Sequence, residues 1–415
     1  MSEPAIAASV VDRNNPFLAR IVERKLLTTE GQTTPEDPPK AVFQITIDIT
    51  GSGIHYKCGD SLGVYPSNKP ETVDALLAAL KLDPDAPVTL PGGAAGAQVP
   101  LREALERRLS LRNISKNLLL LARDNARDAG EKARLAQIVE TPAPEELKSW
   151  LEAREVPDLL EEFPSVRIPA QELAAQLRRL TPRLYSISSH PHANDDGTEH
   201  VELTVDVVRY RTNGHLREGV CSNHLAYHAP ENSPSLPIFV SASHFAPPKD
   251  PLAPLIMVGP GVGVAPFHGF LQQRDALRKK GEKVGPCWLF FGDRHEATHF
   301  LYKDKLLGWE RDGLLTHLSL AWSRDQETKV YVQDRMRENG AEIWTWLSAK
   351  NAYFHVCGDA RNMARDVDAA LHEIVAKHGN MSAEAAKDYI GNLRRPASDD
   401  KAGAHPEARY QRDVY

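Results

Sequence analysis

Three glycines, Gly259, Gly261 and Gly263, stand in the run from Val258 to Phe267 (VGPGVGVAPF), directly after the apolar stretch Leu255–Val258 and ahead of helical patterning. Residues without a Cβ let the backbone approach a pyrophosphate, whose charge is favoured by free N–H groups at a helix start. Pro266 suits the first turn of that helix, where a missing N–H costs nothing. A glycine-rich loop alone reads equally well as a tight β–α turn; the strand before it and the helix after it favour nucleotide binding. The loop is G-x-G-x-G-x-A-P, a departure from the Rossmann fingerprint, and Glu282 is the nearest acidic candidate for a ribose hydroxyl. After the apolar stretch Leu314–Leu320 come Ser323, Arg324, Lys329, Tyr331 and Gln333. A serine and two cations there suit a dianionic 2′-phosphate, although spacing alone reads as a solvated loop. The four cysteines, Cys58, Cys221, Cys287 and Cys357, are far apart, and none pairs at the spacing of a zinc or iron–sulfur site. Each by itself reads as a reduced, buried thiol.

These groups need elements to position them. Residues 41–50 alternate strictly, with Phe43, Ile45, Ile47 and Ile49 opposite Gln44, Thr46, Asp48 and Thr50, which predicts a half-buried strand with one wet face, as in an antiparallel barrel. A second strand begins near Gly59–Val64. Val73, Leu76, Leu77 and Leu80 then follow a helical period behind Ser67 and Asn68 as candidate caps. Helical patterning recurs to about residue 177, and strand character returns at 184–188 and 201–208. The economical reading is an all-helical insertion, 67–177, inside an antiparallel β-barrel of residues 15–66 and 178–250. From 251 onward, short apolar runs alternate with helical segments, predicting a doubly wound parallel-sheet domain over 251–415. Residues 1–14 read as disordered, and Gln32–Lys40 and 392–408 as loops.

At 415 residues the chain exceeds one ordinary core, so two or three domains are expected. The formal net charge of -6 gives no reason to expect nucleic acid or an anionic membrane as partner. No apolar run is long enough to span a bilayer and no signal peptide is evident, which predicts a cytoplasmic protein.

The motifs together resemble the ferredoxin–NADP reductase superfamily. The run Pro182–Ser189 (PRLYSISS) is similar to its FAD-binding signature, and Gly219–Leu225 (GVCSNHL) to its flavin-pyrophosphate loop. Gly259–Phe267, Phe290–Arg294 (FFGDR) and Val356–Arg365 (VCGDARNMAR) follow in the family's order, and the helical insertion resembles the diflavin-reductase branch. The hexapeptide Tyr410–Tyr415 (YQRDVY) is similar to the end of the flavoprotein subunit of sulfite reductases. The resemblance implies that Arg183 pairs with FAD phosphate, Leu184 and Tyr185 contact the cofactor, and Ser186 lies near flavin N5. Gly219, Val220, Cys221 and Ser222 hold the pyrophosphate, with Ser222 replacing the more usual threonine. Cys357 falls beside nicotinamide C4, Asp413 belongs to the same cluster, and Tyr415 covers the flavin as a movable ring. Arg294, Ser323, Arg324, Lys329, Tyr331 and Gln333 fall on NADPH phosphate positions, with Asp359 also against the nucleotide.

Hydride transfer needs donor and acceptor held roughly 3–3.5 Å apart; the flavin supplies the chemistry and the protein the orientation. No FMN-binding segment is recognised ahead of the barrel, so the expected electron acceptor is a separate partner. The leading partner is a sirohaem sulfite reductase subunit, reached directly or through a flavodoxin or ferredoxin. A general ferredoxin/flavodoxin–NADP reductase is the alternative enzyme, and a non-catalytic flavin/NADP redox sensor the alternative outside catalysis. The presence of Ser186, Cys357, Asp413 and Tyr415 together speaks against the sensor.

Overall fold

The computed structural model describes residues 11–29, 39–92, 97–140, 143–192, 194–396 and 407–415. Residues 1–10, and most of the two loop segments expected at 32–40 and 392–408, lie outside it. Six strands, β1 (Phe17–Leu26), β2 (Val42–Asp48), β3 (Ser61–Val64), β4 (Arg183–Ser186), β5 (His200–Asp206) and β6 (Leu236–Ser241), make an antiparallel sheet in the order β4-β3-β6-β1-β2-β5. Its outer strands meet at one bridge, Ile187 to Leu203. That is less than the continuously paired barrel expected from the alternation. β2 presents Ile45 and Ile47 to the core as expected, but its other face is not wet: Gln44, Thr46 and Asp48 are all buried. The reason is tertiary. Gln44 pairs with Thr204 on β5, and the Thr204 hydroxyl lies 2.6 Å from the Tyr302 hydroxyl of the second half of the chain, so the polar face is covered by protein.

The insertion has a core of its own, from Val73 to Leu177. The helix Pro70–Leu80 buries Val73, Leu76, Leu77 and Leu80. Neither expected cap serves it: Lys69 holds the N-cap position, and the Asn68 amide donates instead to the Leu105 and Leu109 carbonyls at 2.6 and 2.8 Å. Ser115 and Asp128 do cap Lys116–Asp124 and Ala129–Val139 through side-chain hydrogen bonds. The block is not all-helical. Pro87–Thr89 and Gln98–Pro100 pair as a short ladder, where prolines deny the backbone helical donors and Val88 joins the insertion's core.

Five parallel strands follow, β7 (Leu255–Val258), β8 (Cys287–Asp293), β9 (His317–Trp322), β10 (Tyr353–Gly358) and β11 (Tyr410–Val414), in the order β9-β8-β7-β10-β11. β9 starts later than the apolar run at 314 suggests, because the N–H groups of Leu314 and Leu315 both return to the Trp309 carbonyl and finish the preceding helix. The chain steps outward from β7 to β9, then comes back to β10 on the other side of β7. A crevice opens at such a reversal, beyond the carboxyl ends of the strands. The two halves are fastened beside it: a His268 ring N–H donates to the Ser188 carbonyl at 2.7 Å and the same ring stacks on Tyr302 at 3.9 Å.

Candidate functional site

A cavity of about 1030 Å³ lies along β4 and the end of β5 and reaches the second half of the chain at Val262, Ala265, Asp413 and Tyr415. That volume is at the top of the range for small-molecule sites, roughly 300–1,000 Å³. Arg183, Leu184, Tyr185 and Ser186, the successive residues of β4, form one wall. Gly219, Val220, Cys221 and Ser222 form another, at the start of a short helix. The Ser222 hydroxyl accepts from the Val208 N–H at 3.1 Å and donates to the Gly219 carbonyl at 3.3 Å. Burial pushes the Cys221 thiol up to about 12, so it stays neutral. Arg112, Arg154 and Arg178 join Arg183 on the lining, and several guanidinium groups in one cavity suit a pyrophosphate.

At the other end, pairing of β11 with β10 sets Asp413 opposite Cys357. Asp413 then meets β4: the Ser186 hydroxyl donates to Asp413 Oδ2 at 2.9 Å, and the Cys357 thiol approaches the same oxygen at 3.9 Å. Burial first, and the Asp413 carboxylate next, push the Cys357 thiol well above its usual range. It is therefore a neutral weak donor and not a nucleophile. Cys357 is fully buried, whereas Ser186 and Asp413 are on the cavity lining. Tyr415 is 62% exposed and also lines the cavity. Its backbone is held on both sides, the N–H donating to the Gly358 carbonyl at 3.1 Å and the carbonyl accepting from Ala360 at 3.0 Å.

In the glycine loop the three glycines differ. A Cβ at Gly263 would collide with the Cys357 carbonyl, and one at Gly259 would come within 2.5 Å of the Gly263 carbonyl. Gly261, at φ +56°, faces more open space, where its nearest neighbours would be Lys40 Nζ and Asp293 Oδ2 at 3.6 and 3.7 Å. Those two form an ion pair of 2.7 Å with side chains only 13% and 4% exposed. Backbone bonds from Ser323 to Asp293 (3.0 Å) and from Arg324 to Arg294 (2.9 Å) bring the ends of β8 and β9 together. Lys329 and Tyr331 lie exposed on the segment leading to the helix Val332–Glu338, which carries Gln333 in its first turn. The Asp359 carboxylate accepts N–H groups of Asn362 and Met363 at 2.8 and 3.3 Å, starting the helix Met363–His378.

Sequence reasoning missed several cavity and loop residues. Thr204 and Asp206 line the cavity; they occupy the polar side of an alternation already visible in β5, so period two could have found them. Lys40 had no local signal, since its partner is 253 residues away. Arg112 touches the Tyr210 hydroxyl and lies over its ring at 5.3 Å, a contact between the insertion and the hairpin after β5 that spacing does not announce.

A family model described as an FAD binding domain matches residues 9–224, more than half of the chain. The chain belongs to the FAD-binding domain family. A second model, an oxidoreductase NAD-binding domain, matches residues 257–369 of this family member. Its relatives include the sulfite reductase [NADPH] flavoprotein alpha-component of Bacillus subtilis (strain 168), 39% identical over 98% of this chain and 62% of the relative. The protein of the same description from Mannheimia succiniciproducens is 39% identical over 97% of the chain and 62% of the relative, and that from Zymomonas mobilis 38% over 99% and 62%. This FAD-binding chain thus spans about three-fifths of the length of the curated relatives it matches. The cavity fits the family's cofactor by size and by its arginines. Among the described residues no helix is long and apolar enough to cross a membrane.

Proposed function

We propose that the chain is the FAD- and NADPH-binding module of an oxidoreductase that takes hydride from NADPH and passes electrons to a sirohaem partner of the sulfite-reductase type. The observation that carries this reading is the junction of Ser186, Cys357 and Asp413, where the FAD-binding half and the NAD-binding half meet on one cavity wall. FAD, when bound, supplies an acceptor for the nicotinamide hydride and a donor of single electrons. Arg183 and the turn Gly219–Ser222 hold its phosphates, while Leu184 and Tyr185 shape the wall. Ser186 directs its proton to Asp413, and Cys357 stays protonated beneath the same carboxylate, so the junction holds two exchangeable protons against one negative charge. The Tyr415 ring shields this end of the cavity from water. Because its backbone is fixed on both sides, the ring moves by side-chain rotation without the strand peeling away.

Arg294, Ser323, Arg324, Lys329, Tyr331 and Gln333 bind the phosphates of NADPH, and Asp359 organises the helix start beside them. The Lys40–Asp293 ion pair lies next to the open glycine, Gly261. In this reading residues 15–66 and 178–250 are the FAD domain, 67–177 a connecting insertion and 251–415 the NADP domain. The four buried free thiols suit a reducing cytoplasm.

Anaerobic stopped-flow mixing with NADPH tests the reading. Rapid bleaching of the flavin absorbance is expected, and a flavin that stays oxidised refutes both this function and a ferredoxin/flavodoxin–NADP reductase. Reconstitution with the sirohaem subunit, with and without flavodoxin or ferredoxin, then assigns the acceptor.

A further inference from the structure

β11 is an outer strand of five residues, hydrogen-bonded among the described strands to β10 alone. Its side chains split by period two. Gln411, Asp413 and Tyr415 face the FAD-binding half, where Gln411 Oε1 accepts the Ala246 N–H at 3.1 Å and Asp413 accepts from Ser186. Tyr410 faces the other way, against the helices. There it is 3% exposed, its ring packs edge-on against Phe354 at 5.4 Å, and its hydroxyl donates to Asp368 Oδ1 at 2.8 Å. Asp368, on the helix Met363–His378, also forms an ion pair with Arg394, whose guanidinium lies over the Tyr410 ring at 4.8 Å. Burial alone would raise the Asp368 carboxyl, but hydrogen bonds from Arg394 and Tyr410 outweigh it and hold the group below its usual range.

A strand of period two has a severe failure mode: a slip of one residue turns every side chain to the opposite face. In β11 such a slip removes Asp413 from Ser186 and turns Tyr410 out of its buried socket. We propose that Asp368, Arg394 and Tyr410 form a register lock for β11, which makes them positioning residues for the transfer site although none of them lines its cavity. Tyr410 has one hydroxyl and one matching carboxylate, and the Arg394–Asp368 pair fixes that carboxylate between two helices. Only the register with Tyr410 opposite Phe354 and Asp413 opposite Cys357 satisfies both ends of the strand.

The lock rests on the proposed reductase function only for its catalytic consequence; its structural part is measured separately. The test uses the FAD-loaded full chain with Tyr410→Phe, which keeps the ring, and Asp368→Asn as a second variant. Hydrogen exchange is followed at the Tyr415 amide just beyond β11, which donates to Gly358 in the native register, and at the β11 amides against those of β10. Loss of a hydrogen bond to a charged group should raise β11 exchange about tenfold or more relative to β10. Flavin reduction by NADPH should slow by a similar factor with KM for NADPH unchanged, because the lock does not touch the phosphate-binding residues. Unchanged β11 exchange in both variants overturns the lock, and faster exchange accompanied by an unchanged reduction rate overturns its positioning role at the transfer site. If the wild-type flavin is not reduced at all, the proposed function fails while the exchange data still judge the register.

Discussion

Replacing Ser186 by alanine removes one hydroxyl from the junction and leaves its other parts in place. That hydroxyl donates to Asp413 Oδ2 at 2.9 Å, and a hydrogen bond to a charged group contributes about 1.5–3 kcal/mol. At about 1.4 kcal/mol per factor of ten, full expression of that loss in the transition state slows flavin reduction roughly 10- to 100-fold. The nucleotide phosphate groups are assigned to residues beyond β8 and β9, on the far side of β7 from β10 and β11. KM for NADPH should therefore move by less than about twofold, the pattern of an interaction made mainly in the transition state. The assay is anaerobic stopped-flow bleaching with NADPH and with its 4-deuterated form, at matched FAD content and Tm. The isotope effect should rise as hydride transfer becomes more limiting. A reduction rate within about twofold of wild type, or a loss confined to KM, refutes the role given to Ser186.

Three further outcomes are expected. Arg324→Ala should lower the kcat/KM preference for NADPH over NADH by about tenfold or more, the value of a charged hydrogen bond to phosphate; an unchanged ratio means that this loop does not hold the 2′-phosphate. Tyr415→Ala keeps both backbone bonds at that position and removes only the ring, so NADPH and NADH should both bind more tightly and kcat with NADPH should fall through slower product release; unchanged kinetics and an unchanged flavin spectrum show that the ring is not a cover. Burial pushes His268 down to about 3 and His224 and His355 to about 4, so the unfolded chain takes up protons near pH 6.5 that the folded chain refuses, and stability falls as the pH drops below 6.5, by at most about 1.4 kcal/mol per unit for each histidine. Tm should be lower at pH 5 than at pH 7, with a smaller drop in His355→Gln; equal drops in variant and wild type remove His355 from the account.

Local pattern made several features legible because they rest on local physics. The strand at β2, the helical period of Val73–Leu80 and the strand–glycine–helix order at Leu255–Phe267 all recur in the structure. What failed was what depends on distant residues. On the polar face, Gln44 pairs with Thr204 on β5, whose hydroxyl meets that of Tyr302, 98 residues away. Asn68 does not cap the helix; its amide N–H groups donate to the carbonyls of Leu105 and Leu109, 37 and 41 residues away. At the site, Ser186, Cys357, Asp413 and Tyr415 could be named from motif resemblance. The Ser186–Asp413 bond joins residues 227 apart and depends on strand order, which no window of sequence reports. Lys40 and the insertion's arginines were missed for the same reason.

The crowding inside the glycine loop changes what the motif can be used to infer in other chains. Gly259 and Gly263 are held small by neighbouring protein atoms, the second by the backbone where β10 ends. A descendant that lost all affinity for dinucleotides would still be under selection to keep both, because an added methyl group would push the loop off the sheet. Their persistence across a set of sequences is then a record of fold, and says little about whether nucleotide is still bound. Gly261 is different: nothing comes within 3.5 Å of the place its Cβ would occupy, and the constraint there is its left-handed backbone, beside the Lys40–Asp293 pair. Drift at 261 together with Lys40, while 259 and 263 stay fixed, is the pattern that would mark a lineage that has given up the nucleotide and kept the scaffold.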